Sequence, residues 1–323
     1  MATTILIWLN IFAALVSAYS TPLACTGTCG NAHDPAIIKR NDGTYFRFST
    51  NGKIAIHTAP NITGPWVYKG AAIPRGSSIN LKGREDLWAP DVTKIGSLYY
   101  MLYAVSAFGS QDSAIGYATS STMDVGSWTD RGETGIRSSK NAKYNAIDGN
   151  LVLAPDAAYI TFGSFWTDLY IAPVSITEGR IRKTGSDVQI AFQPSGEHAV
   201  EAPYIFKNGG KWWLFFSAGK CCALDKNRPA RGQEYKILAC VSNGGPTGPY
   251  VDRDGKNCKS GGGTAVLPSH DWVYAPGGQG VYDDPSMGPI IYYHYVDTRI
   301  GYADGQKKFG WNRVRFDGGW PTV

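Results

Sequence analysis

The sequence predicts an all-β fold: a five-bladed β-propeller whose four-stranded antiparallel blades surround a central axis. Three observations predict it. An acidic residue beside Pro or Gly recurs near positions 34, 91, 148, 201 and 283, and most copies lead into a short apolar strand, a tight turn and an aromatic-rich strand. The steps are 91−34 = 57, 148−91 = 57, 201−148 = 53 and 283−201 = 82, and a repeat near this length made of strands and turns marks propeller blades. Long helical periodicity is absent, while 39 glycines and 13% aromatic residues suit many short strands joined by turns. A two-sheet sandwich is also all-β but leaves the recurring unit unexplained.

Taken in order, Ile5 to Val16 is an almost wholly apolar run, too short for a bilayer span. Ser17-Ala18-Tyr19-Ser20 supplies small residues for cleavage, so residues 1–20 are expected to be a secretory signal, although no Lys or Arg precedes the run. Residues 21–323 are then expected to form a single propeller domain. Asp34-Pro35 opens the first copy, and Asn41-Asp42-Gly43 can adopt the positive φ of a tight hairpin before the strand Thr44–Ser49. Tyr99–Ala104, Trp212–Ser217 and Ile290–Tyr295 occupy the same place in later copies, and Asn208-Gly209-Gly210 is the second hairpin signal. Later strands are expected to recur at Ile54–His57, Ser113–Ala118, Asp168–Ala172, Lys236–Cys240 and Arg299–Ala303. Gly64-Pro65-Trp66 and Gly248-Pro249-Tyr250 close two blades alike. The fourth copy carries extra length from Cys221 to Pro276, read as long surface loops shaping one rim of the central pocket.

The six cysteines are even in number, as expected for disulfides in a secreted, extracellular chain, and they allow 15 connectivities. Zinc is the rival reading, but no Cys-x-x-Cys pair accompanies the adjacent Cys221 and Cys222. Asn61-Ile62-Thr63 is the only glycosylation sequon. A formal charge of +5 with scattered Lys and Arg argues against a nucleic-acid partner, and no other apolar run approaches membrane length. The expected state is a monomer.

Five short motifs then appear in order: His33-Asp34-Pro35, Trp88-Ala89-Pro90-Asp91, Asn145-Ala146-Ile147-Asp148-Gly149, Gly163-Ser164-Phe165 and Val200-Glu201-Ala202-Pro203. Together they resemble glycoside hydrolase family 43, propeller enzymes that cut arabinans and xylans, and within it the endo-1,5-α-L-arabinanases of fungi. The resemblance covers essentially the whole mature chain. It implies an inverting hydrolase of polysaccharide, with arabinan as substrate, and carboxylates at the starts of blades one, three and four: Asp34, Asp148 and Glu201.

The chemistry agrees independently. Inversion needs one carboxylate to activate water and one carboxylic acid to protonate the leaving oxygen, about 6.5–9.5 Å apart across the bond. Asp34 is assigned as general base and the longer Glu201 as general acid. Asp148 raises the acid's pKa by charge repulsion and orients it. Asp91 is read as structural or supporting, and Asp283 and Asp284 as turn residues. Flat rings bind the apolar faces of sugars, so Trp88 and Phe165 are expected as stacking platforms, with Asn145 and Ser164 bonding sugar hydroxyls. No cofactor is required for this chemistry. His294 sits in an apolar strand, where the bland reading is a packed core histidine; the resemblance implies that it holds a structural calcium or sodium ion in the central channel through waters. An exo-acting arabinofuranosidase or β-xylosidase uses the same trio, and a non-catalytic carbohydrate-binding propeller would keep the aromatic platforms without needing the three carboxylates.

Overall fold

The computed structural model describes residues 19–323, so the expected signal segment lies outside the described residues apart from Tyr19 and Ser20. Five antiparallel sheets follow one another along the chain and close into a five-bladed propeller. Blade one holds Ala36–Lys39, Tyr45–Ser49, Ala55–Ala59 and Val67–Ala71. Blade two holds Leu87–Ile95, Leu98–Val105, Ser113–Ser120 and Thr129–Ser138. Blade three holds Asn150–Ala154, Ala157–Phe162 and Leu169–Thr177, with two short strands, Arg180–Lys183 and Val188–Ala191, sharing the outer edge. Blade four holds Val200–Asn208, Lys211–Ala218, Lys236–Ser242 and Thr264–Leu267. Blade five holds Val273–Asp284, Gly288–Asp297 and Lys308–Arg313.

Blade five thus departs from the expected four strands, and the reason is ring closure. The N-terminal segment runs along its free edge: Leu23 N–H donates to Trp311 O at 3.0 Å and Phe309 N–H to Cys29 O at 2.9 Å. The same segment joins blade one, where Thr28 N–H donates to Trp66 O and Trp66 N–H to Thr26 O, at 2.8 and 2.9 Å. A Cβ on Gly27 would stand 2.5 Å from Trp66 O, so only glycine allows this approach. The strap covers an edge that would otherwise present unpaired backbone groups. The third strand of blade five is Lys308–Arg313 rather than the expected Arg299–Ala303. Asp297 accepts hydrogen bonds from the Arg299 backbone and guanidinium (2.7–3.1 Å), which turns the chain there instead of extending it.

The core lies between blades. Strand side chains alternate in direction, so each face of a blade meets a different neighbour. Met101 and Tyr103 pack towards blade one, whereas Tyr100 and Leu102 pack towards blade three. Trp212 and Leu214 pack towards blade three; Trp213 and Phe215 pack towards blade five. Because both faces are buried, these second strands read as nearly unbroken apolar runs. Trp66 and Tyr250, from the two Gly-Pro-aromatic closures, are both buried. Three disulfides, Cys25–Cys29, Cys221–Cys222 and Cys240–Cys258, account for all six cysteines and leave no thiolate for zinc.

Candidate active site

Every inner strand enters the axis through the same backbone device. Asp34, Ala89, Asp148, Ala202 and Ala275 are left-handed, with φ of 42, 45, 59, 54 and 51°. Each is followed by Pro or Gly. Side-chain-bearing residues rarely adopt this conformation, Asp more readily than most, and such strain clusters at functional sites. Register shifts follow at Trp88/Asp91, Glu201/Tyr204 and Tyr274/Gly277. The device corrects the sequence-derived alignment. The fifth blade's counterpart of Glu201-Ala202-Pro203 is Tyr274-Ala275-Pro276, a step of 275−202 = 73, not the pair Asp283-Asp284. Those two lie at the opposite end of their strand, where Asp284 accepts a 2.5 Å hydrogen bond from the Tyr45 hydroxyl. Asp91 lies two residues beyond its blade's left-handed position and is therefore not equivalent to Asp34.

Asp34, Asp148 and Glu201 come together at the axis, where their charges interact mutually. Thr50 Oγ1 donates to Asp34 Oδ2 at 2.8 Å and itself accepts from Ala89 N–H, tying blade one to blade two. Burial pushes the Asp34 carboxyl up; the Thr50 hydrogen bond and the Lys307 ammonium hold it down. Its side chain keeps 30% of its surface, so water tempers the upward push. Glu201 receives Ser164 Oγ on Oε2 at 2.7 Å and Tyr235 Oη on Oε1 at 2.9 Å. Burial raises the Glu201 carboxyl, with the two hydrogen bonds opposing. Asp148 is raised well above the carboxylate range, first by burial and then by Glu201 and Asp34. Repulsion acts on both members of the Asp148–Glu201 pair, so they titrate as a unit. Ala202 N–H donates to Asp148 Oδ2 at 3.0 Å, so Asp148 also fixes the turn that carries Glu201.

Below them, Asp91 Oδ2 accepts from Asn150 Nδ2 and Leu151 N–H, at 3.2 and 2.8 Å, while Asn150 Oδ1 accepts from Ile205 N–H at 3.0 Å. This chain ties blades two, three and four together, which is a structural task. Burial lifts Asp91 to about 6. The cavity at the axis is lined by Asp34, Asp148, Asp91, Gln279, Tyr204 and Tyr292 among others.

The expected sugar contacts divide. Trp88 is half-buried at the start of its inner strand, with Nε1 donating to Asp86. Phe165 is 37% exposed in the blade-three connection 163–168, which the Phe165 N–H to Val200 O bond zips to blade four. Ser164 commits its proton to Glu201, which makes it a positioning residue for that carboxyl. Asn145 is buried, and its Oδ1 accepts from Ser113 at 2.6 Å, so its oxygen serves the scaffold instead of a sugar. The neighbouring Trp166 and Phe108, in the equivalent connections of blades three and two, are 40% and 87% exposed.

His294 is buried, and its Nδ1 accepts the Asp34 backbone N–H at 3.0 Å. Burial and Lys307 hold its pKa well below the ordinary value, so the ring is neutral and its 3.5 Å approach to Asp34 Oδ1 is not an ion pair. The proton therefore sits on Nε2, which has no partner among the described residues. That nitrogen has no lone pair for a cation; it can reach an ion only by donating to an intervening water. No group of three or more His, Cys, Asp or Glu with metal-ligand geometry exists among the described residues.

Sequence reasoning missed Thr50, Tyr235, Gly278 and Lys307. Only Gly278 had a visible signal, since it follows the Tyr274-Ala275-Pro276 copy of the repeat. A Cβ there would stand 2.4 Å from Asp34 Oδ1.

Comparison with known proteins agrees with this arrangement. The profile of glycosyl hydrolases family 43 matches residues 28–321. The arabinan endo-1,5-alpha-L-arabinosidase A of Aspergillus niger is 54% identical over 314 residues, covering 97% of each chain. The GH43 endo-arabinanase structure from Bacillus licheniformis superposes with a TM-score of 0.80 at 32% identity, covering 93% of this chain and 99% of that one. An exo-1,5-alpha-L-arabinanase from a bovine ruminal metagenomic library superposes equally well, with a TM-score of 0.80 at 27% identity and the same coverage. With a matching profile over nearly its whole length and a matching blade arrangement, the chain belongs to family 43 of the glycosyl hydrolases.

Proposed function

We propose that this chain is a secreted endo-1,5-α-L-arabinanase that hydrolyses internal linkages of arabinan with inversion. The observation that carries the reading is the convergence of three carboxyl groups in unlike surroundings. Asp34 opens onto solvent and is held by Thr50, which favours the ionised form that a general base requires. Glu201 is gripped at both oxygens and raised by burial, and its charge repels Asp148, so the two carboxyls resist joint ionisation. In the reaction Asp34 takes a proton from water as that water attacks the anomeric carbon. Glu201 gives its proton to the departing glycosidic oxygen, and Asp148 keeps Glu201 protonated and oriented until that step. No cofactor enters these steps. A calcium or sodium ion in the channel, if bound, is structural and held through water at His294.

Endo action is supported by Phe108, Phe165 and Trp166, exposed in the connections between the second and third strands of blades two and three, with the half-buried Trp88 at the start of the blade-two inner strand. Rings placed this way bind several sugars of a continuous chain. The exo reading draws on the ruminal relative of the same fold. Residues 1–20 are removed on secretion, in keeping with the three disulfides, and residues 21–323 work as a single monomeric catalytic domain.

The test is product profiling on linear 1,5-arabinan together with Glu201→Gln. Early mixed oligosaccharides are expected; monosaccharide alone from the first minutes would reject endo action. Glu201→Gln is expected to lose about 10²-fold or more in kcat while folding and sugar binding persist. Arabinan cleavage at the parent rate would remove Glu201 as the acid.

A further inference from the structure

Behind the two proposed catalytic carboxyls lies a buried cation that the hydrolysis itself does not use. Lys307 is fully buried. Its Nζ donates to the Cys221 carbonyl oxygen at 2.8 Å, lies 3.6 Å from Cys222 Sγ, and pairs with Asp304 Oδ1 at 3.3 Å. Asp304 is held in turn. Its Oδ2 accepts from Ala223 N–H at 3.1 Å, and its backbone oxygen takes the Nε2 proton of His33, the residue before Asp34.

The acceptor carbonyl belongs to an unusual element. Cys221 and Cys222 are bonded to each other, so the peptide between them is part of a small ring. Such a ring removes most of the backbone freedom of its two residues and fixes where the Cys221 carbonyl points. Cys221 also packs against the cluster of Leu224, Tyr235, Ala275 and Val296. Tyr235 is the residue whose hydroxyl donates to Glu201, and its ring stacks on His294. One short segment therefore reaches both carboxyls: the base through the Lys307 charge, and the acid through that charge and through Tyr235.

We propose that the Cys221–Cys222 ring and the half-exposed Asp304 hold the buried Lys307 in a positioning unit, which fixes a positive charge behind Asp34 and Glu201 and braces Tyr235 against the acid. The proposal rests on the assignment of those two carboxyls as base and acid. A lysine stripped of water is expensive and persists only where partners compensate it. Here the compensation comes from Asp304, the Cys221 carbonyl and, at longer range, Asp34 and Glu201, while the other neighbours, His33 and His294, are neutral. In a site that gathers three acidic groups, this ammonium offsets the charges of Asp34 and Glu201 and favours ionised Asp34.

The test compares pH–kcat profiles of the full mature protein on linear arabinan. Lys307→Met removes the charge at similar length. Both carboxyls then become harder to ionise: the acid limb, set by Asp34, and the alkaline limb, set by Glu201, should both move to higher pH by about half a unit or more. The expected kcat at the parent optimum falls about tenfold, with KM little changed, and Lys307→Arg should return both limbs towards the parent. A purely structural role would lower the curve without displacing it. A Lys307→Met profile that superimposes on the parent after scaling would overturn the proposal. The serine pair Cys221→Ser with Cys222→Ser keeps every charge and frees the ring; it should lower kcat several-fold and shift the limbs the same way, less far. If Lys307→Met does not fold, this pair decides: parent kcat and parent limbs overturn the unit. Failure here, with Glu201→Gln still inactive, would leave the acid assignment standing.

Discussion

Gly278 offers a sharp perturbation of the site, because its clash can be separated from its backbone strain. It lies in blade five at φ +57°, and a Cβ there would stand 2.4 Å from Asp34 Oδ1 and 2.8 Å from His294 Cε1 and Nδ1. Real Cβ contacts do not fall below 3.0 Å, so in Gly278→Ala the carboxylate must retreat by 3.0 − 2.4 = 0.6 Å or the strand must move by as much. Misplacing a reacting group by about 1 Å costs about 10²-fold, so a loss of about tenfold or more in kcat follows. The matched control is Gly209→Ala, since Gly209 has the same φ of +57° with nothing within 4 Å of its would-be Cβ. Left-handed alanine costs roughly 1–2 kcal/mol at either position. Both variants should therefore lose Tm in a circular dichroism melt, Gly278→Ala more because the clash adds to the strain, and only Gly278→Ala should lose turnover in a reducing-sugar assay on linear arabinan. The reasoning is refuted if Gly278→Ala keeps kcat within a factor of a few of the parent, or if Gly209→Ala falls equally far.

Two further outcomes follow from the carboxyl groups. Asp148 and Glu201 resist joint ionisation, and Asp148→Asn takes one carboxyl out of the pair, so the acid ionises earlier and the alkaline limb of the pH–rate profile should move to lower pH; an unmoved limb would remove the tuning role. Asp91 carries a folded pKa of about 6 against an ordinary 3.8, raised by burial. Its contribution to stability is complete below pH 4 and is lost as pH rises through 6. Asp91→Asn keeps an acceptor for Leu151 N–H. The variant should therefore lose less stability than the parent between pH 4 and 7, by on the order of 2–3 kcal/mol in urea titrations, with kcat near the parent's. A kcat collapse in that variant would instead place Asp91 in the chemistry.

The repeat and the three carboxyls were legible because each depends on local signals. Asp tolerates the left-handed turn that begins an inner strand, and the following Pro or Gly marks it, so Asp34 and Asp148 stand out within a few residues of sequence. Asp283-Asp284-Pro285 imitates that signal at the wrong end of its strand, while the true fifth copy, Tyr274-Ala275-Pro276, lacks an acid. Arg299–Ala303 has strand composition, yet the Asp297–Arg299 contacts turn it. Thr50, Tyr235 and Lys307 were illegible for a different reason. Each meets its partner only after the blades close into a ring, and no spacing along the chain encodes that meeting. The ring itself depends on a strap from residues 21–32, whose pairing with blade five the repeat gives no hint of.

Anomeric configuration of the first product tests the central claim most directly. Proton NMR of linear 1,5-α-arabinan during the first turnovers, before mutarotation, reports which face of the sugar the new hydroxyl joined. Water activated by Asp34 opposite the Glu201 proton donor yields the β-configured reducing end first. Initial appearance of the α-anomer would mean retention, and would contradict the assignment of these two residues as base and acid across the scissile bond.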